Sequence, residues 1–245
     1  MRYKITIEYD GTPFVGWQRQ DNGLSVQECI ETAIESMFQE KLVLFGAGRT
    51  DAGVHATGQV AHFDIAHKEL DTYSIKTGLN HHLKIYPISI LDGTEVDGEF
   101  HSRFDAKERK YLYRIVNRNS PLSIEKGRAW LVMKNLNLEK MQACAPIIEG
   151  KHDFTTFRSV NCQSKSPIKT LNSCKITQQD DNIYFGFVAP SFLQHQIRSL
   201  VGTIKMVGEG LWDIERLQQA LDAKDRSKCG ALAPAEGLYF MEVKY

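Results

Sequence analysis

The chain reads as an α+β protein with a mainly antiparallel sheet. Short runs alternate apolar and polar residues with period two, as half-buried strands do. Such runs outnumber the helical stretches, and few connections have the length and pattern of a βαβ unit. The charge also changes sign along the chain. Residues 68–100 carry three lysines against six acids, net −3, and residues 101–130 carry eight cations against three anions, net +5. This change, near residues 100–105, divides an N-terminal α+β domain (1–104) from a C-terminal one (105–245).

Residues 2–9 open the chain as a strand, with Tyr3, Ile5, Ile7 and Tyr9 alternating against Lys4, Thr6 and Glu8. Asp10-Gly11-Thr12-Pro13 ends it as a turn. Ser25 followed by Glu28 forms a capping box, and Val26, Ile30, Ala33, Ile34, Met37 and Phe38 recur at helical spacing, so residues 25–39 are expected to be an amphipathic helix. Strands are expected at 41–45 and 58–64, and again at 109–117. A helix over 138–149 precedes strands at 170–177 and 182–189, joined by a turn at Asp180-Asp181. A helix beginning at Ser191 turns Phe192, Leu193, Ile197, Leu200, Val201 and Ile204 toward the core. It leaves Gln194, His195, Arg198 and Lys205 on or beside the polar flank. A shorter helix at 213–223 and a last strand at 238–245 complete the set.

Composition excludes several classes. Apolar residues make up 42% and charged residues 24%, an ordinary globular balance. The 30 basic and 30 acidic residues cancel, so net charge gives no reason to expect a polyanionic partner. Five cysteines without a CxxC pair argue against a disulfide framework or a zinc cluster and for a reducing compartment. No apolar run has signal or membrane length, so the expected location is cytoplasmic, without a membrane partner.

Residues 46–53, Gly-Ala-Gly-Arg-Thr-Asp-Ala-Gly, place Asp51 inside a glycine-rich loop with Arg49 two positions before it. Glycines let a backbone take tight turns and approach a ligand closely. Two phosphate-binding readings fail on spacing. The dinucleotide fingerprint needs glycine where Asp51 stands, and a carboxylate there would repel pyrophosphate. The P-loop needs Lys and then Ser or Thr after its last glycine, and Val54 and His55 follow Gly53 instead. Two readings stay open at this point: a turn in which Asp51 caps backbone amides with Arg49 as its surface partner, or a site built around a carboxylate.

Other chemistry finds little support. His55 and His62 are seven apart, His81 and His82 are adjacent and point apart if extended, and no HExxH or GxSxG motif occurs, so neither a metal site nor serine hydrolysis is expected. An aspartate beside an arginine stays ionised and is a poor general acid at neutral pH. It is better suited to act as a nucleophile or a base. With no cofactor motif, the expected chemistry is a rearrangement or substitution needing only a carboxylate. The basic stretch interleaves Phe104, Tyr111 and Tyr113 with its cations, a pattern that suits nucleic acid and equally suits a solvated strand.

These residues then resemble a known family. Gly-Arg-Thr-Asp-Ala-Gly-Val-His-Ala at 48–56, continuing as Gly58-Gln59-Val60-Ala61-His62-Phe63, is similar to the catalytic motif of the tRNA pseudouridine synthase A family. Tyr9-Asp10-Gly11-Thr12, Gly16-Trp17-Gln18, Phe100-His101-Ser102-Arg103-Phe104, Arg109-Lys110-Tyr111-Leu112-Tyr113, residues 192–210 and Ala233-Pro234-Ala235-Glu236-Gly237-Leu238 follow in family order. The resemblance implies two related domains whose strands form an extended sheet with helices on one side and an active-site cleft between the domains. It implies isomerisation of uridine to pseudouridine at positions 38, 39 and 40 of the tRNA anticodon stem-loop, by a homodimer, without cofactor or metal. Asp51 becomes the nucleophile, Tyr111 the ring that stacks on the target base, and Arg198 the partner of Asp51. Arg49, Thr50, His55, Arg103, Arg109 and Leu238 become substrate-binding residues, with Arg49 filling the space a flipped nucleotide leaves. One departure stands out: the family commonly has Met-Val-Arg where this chain has Gln196-Ile197-Arg198. The cation is kept, and the difference falls on packing beside it.

Overall fold

A computed structural model describes residues 1–66 and 70–245, so Lys68 and Glu69 of the acidic stretch fall outside the described residues. The chain forms two compact units, Met1–Lys107 with Tyr239–Tyr245, and Glu108–Leu238.

In the first unit β1 (Arg2–Tyr9) is flanked on both sides. It pairs antiparallel with β3 (His55–Asp64), from Arg2 opposite Asp64 to Tyr9 opposite Ala56, and antiparallel with β4 (Ile88–Val96). Tyr3, Ile5, Ile7 and Tyr9 are all buried, as their alternation requires. Helix α1 (Val26–Phe38) starts where expected: the Ser25 hydroxyl accepts the Glu28 N–H at 3.2 Å. Gln39 ends it in the left-handed region, at φ 59°. The expected strand at 41–45 shrinks to β2 (Phe45–Gly46). Side chains of α1 satisfy the backbone before it, since Leu44 N–H donates to Glu31 Oε1 (3.0 Å) and Leu44 C=O accepts from Gln27 Nε2 (3.0 Å). The strand expected at 58–64 starts earlier, at His55.

Helix α2 (Thr72–Leu83) and β4 have no counterpart in the sequence reading. Their signals were present: Asp71 caps Ser74 N–H at 2.7 Å, and Ile75, Leu79 and Leu83 are buried at helical spacing. His81 and His82 therefore lie in the last turn of a helix, rings 5.3 Å apart edge to face, rather than in an extended segment.

In the second unit β5 (Glu108–Asn117) pairs antiparallel with β10 (Asn182–Ala189), which pairs antiparallel with β9 (Ser173–Gln179). A short β6 (Trp130–Val132) runs parallel to β5. The helix expected at 138–149 divides into α3 (Leu138–Gln142) and α4 (Ala145–Ile148). Pro146 explains the break, because its ring and missing N–H are tolerated in a first turn and not in a helix interior. The strand expected at 170–177 also divides. Its first residues belong to β8 (Ile168–Leu171), which pairs with β7 (Gly150–Asp153), and Asn172 turns away to donate to Val188 C=O at 2.8 Å. The turn at Asp180 is present, with φ 51°. Helix α5 (Gln196–Gly208) starts five residues after Ser191, because His195 takes the left-handed φ of 65° and forces the chain to begin the helix anew. Helix α6 (Ile214–Ala223) follows, capped by Asp213.

The last strand, β11 (Leu238–Lys244), pairs parallel with β3 in the first unit, Tyr239 opposite His55 and Phe240 opposite Ala56. The expected division at 104 differs from this arrangement by three residues at its boundary and by the terminal strand, which was assigned to the second domain. Charge could not reveal that return, because pairing with β3 is a long-range backbone contact. Most strand pairs are antiparallel, and the architecture is α+β.

Candidate active site

The glycine loop leaves β2 and enters β3, and three sources hold it. From β3, Ala47 N–H donates to Val60 C=O (2.7 Å) and the buried Gln59 amide donates to Gly48 C=O (2.8 Å). From β1, the Tyr9 hydroxyl shares a 2.8 Å hydrogen bond with Thr50 Oγ1, both groups buried. Burial pushes the Tyr9 phenol well above its ordinary range, so it stays protonated. From the turn before α1, Trp17 N–H donates to Thr50 C=O (3.1 Å) and Gly16 bridges Asp51 across a short antiparallel contact. Gly16 has φ 121°, and a Cβ there would stand 2.7 Å from Thr50 O. Only glycine fits that approach.

Asp51 itself is half-buried and Arg49 exposed. Val54 N–H donates back to Asp51 C=O at 3.2 Å, closing a tight turn in which Gly53 takes φ 77°. Asp51 thus stands on backbone anchored at Thr50 before it and at its own carbonyl. Such anchoring holds a carboxylate in place without a loop rearrangement.

His55, first residue of β3, is buried and stacks on Tyr239 at 4.8 Å. Gly11 N–H lies 3.1 Å from its Nδ1. Asp10 Oδ1 lies 3.2 Å from the same Nδ1 and also receives the Thr12 N–H and hydroxyl. His55 joins the turn at Asp10 to the end of the glycine loop, a bracing position rather than one on the loop's surface. Thr50 is likewise buried.

Arg103 belongs to a different part of the same unit. It lies on the exposed turn after Phe100, its guanidinium 5.6 Å over the ring of Phe104. Behind that turn is His62, buried, with Nδ1 2.9 Å from the Ser102 hydroxyl. Burial, followed by the neighbouring His101, lowers the His62 pKa to about 4, so it is neutral at physiological pH.

The second unit carries the other expected residues. Arg109 and Tyr111 face the same side of β5, as alternate strand positions do. Tyr111 is buried edge to face against Phe192 at 5.2 Å, and Arg109 donates to Pro190 C=O at 2.5 Å. Arg198 occupies the first turn of α5, half-buried, its Nε donating to Ala233 C=O at 2.9 Å while Ala233 N–H returns to Arg198 C=O at 3.1 Å. The departure at Gln196 has a local role: its Oε1 accepts Leu193 N–H at 2.8 Å, closing the turn ahead of α5. Leu238, at the start of β11, is buried.

The structure therefore brings Arg49, Thr50, Asp51 and His55 together on one loop, and Arg109 and Tyr111 together on one strand face. Sequence reasoning missed the supports. Tyr9, Gln59 and Trp17 all occur in the quoted motifs, and only their register across the sheet shows what they hold. Phe192 and Ala233 also lie in the quoted motifs, and only the fold shows that they meet Tyr111 and Arg198. Among the described residues, no three potential metal ligands stand together and no helix is long and apolar enough to cross a membrane.

Comparison with known proteins identifies the family. Residues 5–105 and 145–245 match a family model described as tRNA pseudouridine synthase. Arg109 and Tyr111 fall between those two segments, and the other expected site residues fall inside them. The chain is 51% identical over 246 residues to a tRNA pseudouridine synthase A of Rhizobium meliloti, covering 100% of this chain and 99% of that protein. It is 50% identical over 244 residues to one of Parvibaculum lavamentivorans (100% and 99% covered) and 50% identical over 246 residues to one of Ehrlichia canis (100% of both).

Proposed function

We propose that this chain, which belongs to the tRNA pseudouridine synthase family, converts uridine to pseudouridine at positions 38, 39 and 40 of the tRNA anticodon stem-loop, with Asp51 as the nucleophile. The observation that carries the assignment is the bracing of Asp51: Gln59, Tyr9 and Trp17 hold the residues around it from three directions, while the carboxylate is left half-buried.

The reaction breaks the N1–C1′ glycosidic bond, turns the uracil, joins C5 to C1′, and exchanges the C5 hydrogen for a proton at N1. Product and substrate have the same formula, so no external oxidant, reductant or group donor enters. Asp51 adds to C1′, adds to C6 of the base, or initiates a glycal route; each uses one carboxylate. A stem uridine must first leave its stack, at a cost of a few kcal/mol. In this reading Tyr111 supplies the ring that receives the base, worth about 1–3 kcal/mol, and Arg198 supplies the cation that pairs with the attacking carboxylate. Arg49, exposed on the loop, occupies the place of the flipped nucleotide.

The test is release of tritium from tRNA labelled at uridine C5. Wild-type protein is expected to release it without added cofactor, and Asp51→Ala to release none while its tRNA Kd stays within about threefold. Absence of release by wild-type protein overturns the function, and a large affinity loss in Asp51→Ala overturns the nucleophile assignment. Mapping pseudouridines in tRNA from cells lacking the protein checks the three positions.

A further inference from the structure

Strand β2 leads directly into the glycine loop, and its Phe45 begins a run of rings that the reaction above does not use. Phe45 stacks on the buried His62 at 5.1 Å, His62 meets His101 edge to face at 4.8 Å, and His101 lies 4.3 Å from Phe104. The foot of this cluster is rigid, because Ser102 bonds both the His62 ring (2.9 Å) and Phe45 C=O (2.6 Å). Its outer end is bare: Phe104 is 74% exposed and Phe45 44%. A phenylalanine left in water on a rigid base is unusual in a surface turn, and here a guanidinium, that of Arg103, covers part of the ring.

An exposed ring beside a cation is the chemistry that takes an unpaired nucleotide, the ring meeting the base and the cation its phosphate. A paired stem offers no base face to such a ring. Phe45 is six residues before Asp51, so its backbone lies at most ~20 Å from that of Asp51. His101 lies 5.9 Å from Phe45 and 4.3 Å from Phe104, so the Phe104 ring stands at most about 35 Å from Asp51, about ten nucleotides at roughly 3.4 Å per stacked nucleotide.

We propose that Phe104, with Arg103 and the Phe45–His101 cluster behind it, is a stacking platform for an unpaired base of the anticodon loop, within about ten nucleotides of the target uridine. This rests on the function given above, and the platform adds a reason why a stem position close to a loop is chosen: the loop supplies an unpaired base that a continuous helix lacks.

Two measurements test it. In the tritium assay Phe104→Ala is expected to raise KM about tenfold with kcat within twofold, Phe104→Tyr to keep the wild-type KM, and both to melt as wild type does. Independently of turnover, the tryptophan emission of Phe104→Trp, read as a difference from wild type, is expected to be quenched by a short single-stranded RNA and not by a blunt RNA duplex of the same length. Unchanged KM in Phe104→Ala, equal quenching by both RNAs, or a shift of sedimentation from dimer to monomer in Phe104→Ala, which would assign the rings to a second copy of the chain, overturns the platform. Should wild-type protein release no tritium, the quenching experiment still decides this proposal on its own.

Discussion

At the scale of single residues, the loop depends on close approaches that leave no room for a side chain. Gly16 faces Thr50 O with φ 121° and Gly11 faces Val54 O, where an added Cβ would lie at 2.0 Å. Gly16→Ala is expected to destabilise the protein by about 1–3 kcal/mol and to lower kcat at least tenfold, because the bridge to Asp51 must open. Urea denaturation together with the tritium assay checks this; a variant of wild-type stability and rate would show that the loop does not need this contact. Asp51 stood out in the sequence because the loop fails the phosphate spacings; a capping turn with Arg49 stayed equally open until the family resemblance gave the carboxylate a role. Tyr9, the partner of Thr50, was legible only as a buried strand position. A hydroxyl's partner is set by what lies across the sheet, and residues 9 and 50 are far apart in the chain.

Among elements, α5 shows how a helix start is decided by what lies against it. Period 3.6 located the buried stripe, and residues such as Ile197, Leu200, Val201 and Ile204 are buried. The start moved because His195 is left-handed and Gln196 closes the preceding turn. Against that first turn runs the segment before β11, which opens with a 3-10 turn at Arg226–Lys228. Arg226 donates to Ser199 Oγ (2.9 Å) and to Thr156 C=O (3.2 Å), and Gly202 is close enough to Ala231 O that a Cβ would clash at 1.8 Å. That segment ends at Ala233, whose carbonyl receives Arg198 Nε. Arg226 is thereby a positioning residue for Arg198. Arg226→Ala is expected to lower kcat about tenfold with KM within twofold, and Arg226→Lys to recover part of it. Equal losses in kcat and thermal stability for both variants would reduce Arg226 to a stability role. α2 and the split of α3 from α4 went unread for different reasons. α2 has an Asp71 cap and a stripe of only three buried residues, Ile75, Leu79 and Leu83, whereas Pro146 is visible in the sequence and tells where a helix breaks only once the neighbouring turns are known.

For the molecule as a whole, acid should act through a buried neutral group. His62 has its pKa lowered to about 4, against 6.5 when unfolded, so between those values the unfolded chain binds the proton and the folded one does not. Stability therefore falls as pH drops from about 6.5 to about 4, by up to about 1.4 kcal/mol per pH unit from this group, and its contribution is flat outside that window. Asp64 and Glu125, held below the usual carboxylate range by hydrogen bonds from Arg2 and Arg114, add losses at lower pH as the unfolded carboxylates protonate. Thermal melts at several pH values test this: Tm should decline below pH 6.5 in wild-type protein and less steeply in His62→Gln, and a Tm constant from pH 7 to 4.5 would contradict it. At this scale the sequence alone determined the α+β class, the alternation of β1, the capped α1, the carboxylate loop and the family, because each depends on near neighbours in the chain or on motifs in fixed order. Tertiary structure alone decided that the chain returns after residue 238 to complete the first unit, that side chains of α1 replace a strand before β2, that Tyr9, Gln59 and Trp17 hold the loop of Asp51, and that rings at 45, 62, 101 and 104 meet. Those are contacts between residues distant in sequence, set by sheet register and by which buried polar groups must find partners, and no local pattern encodes them.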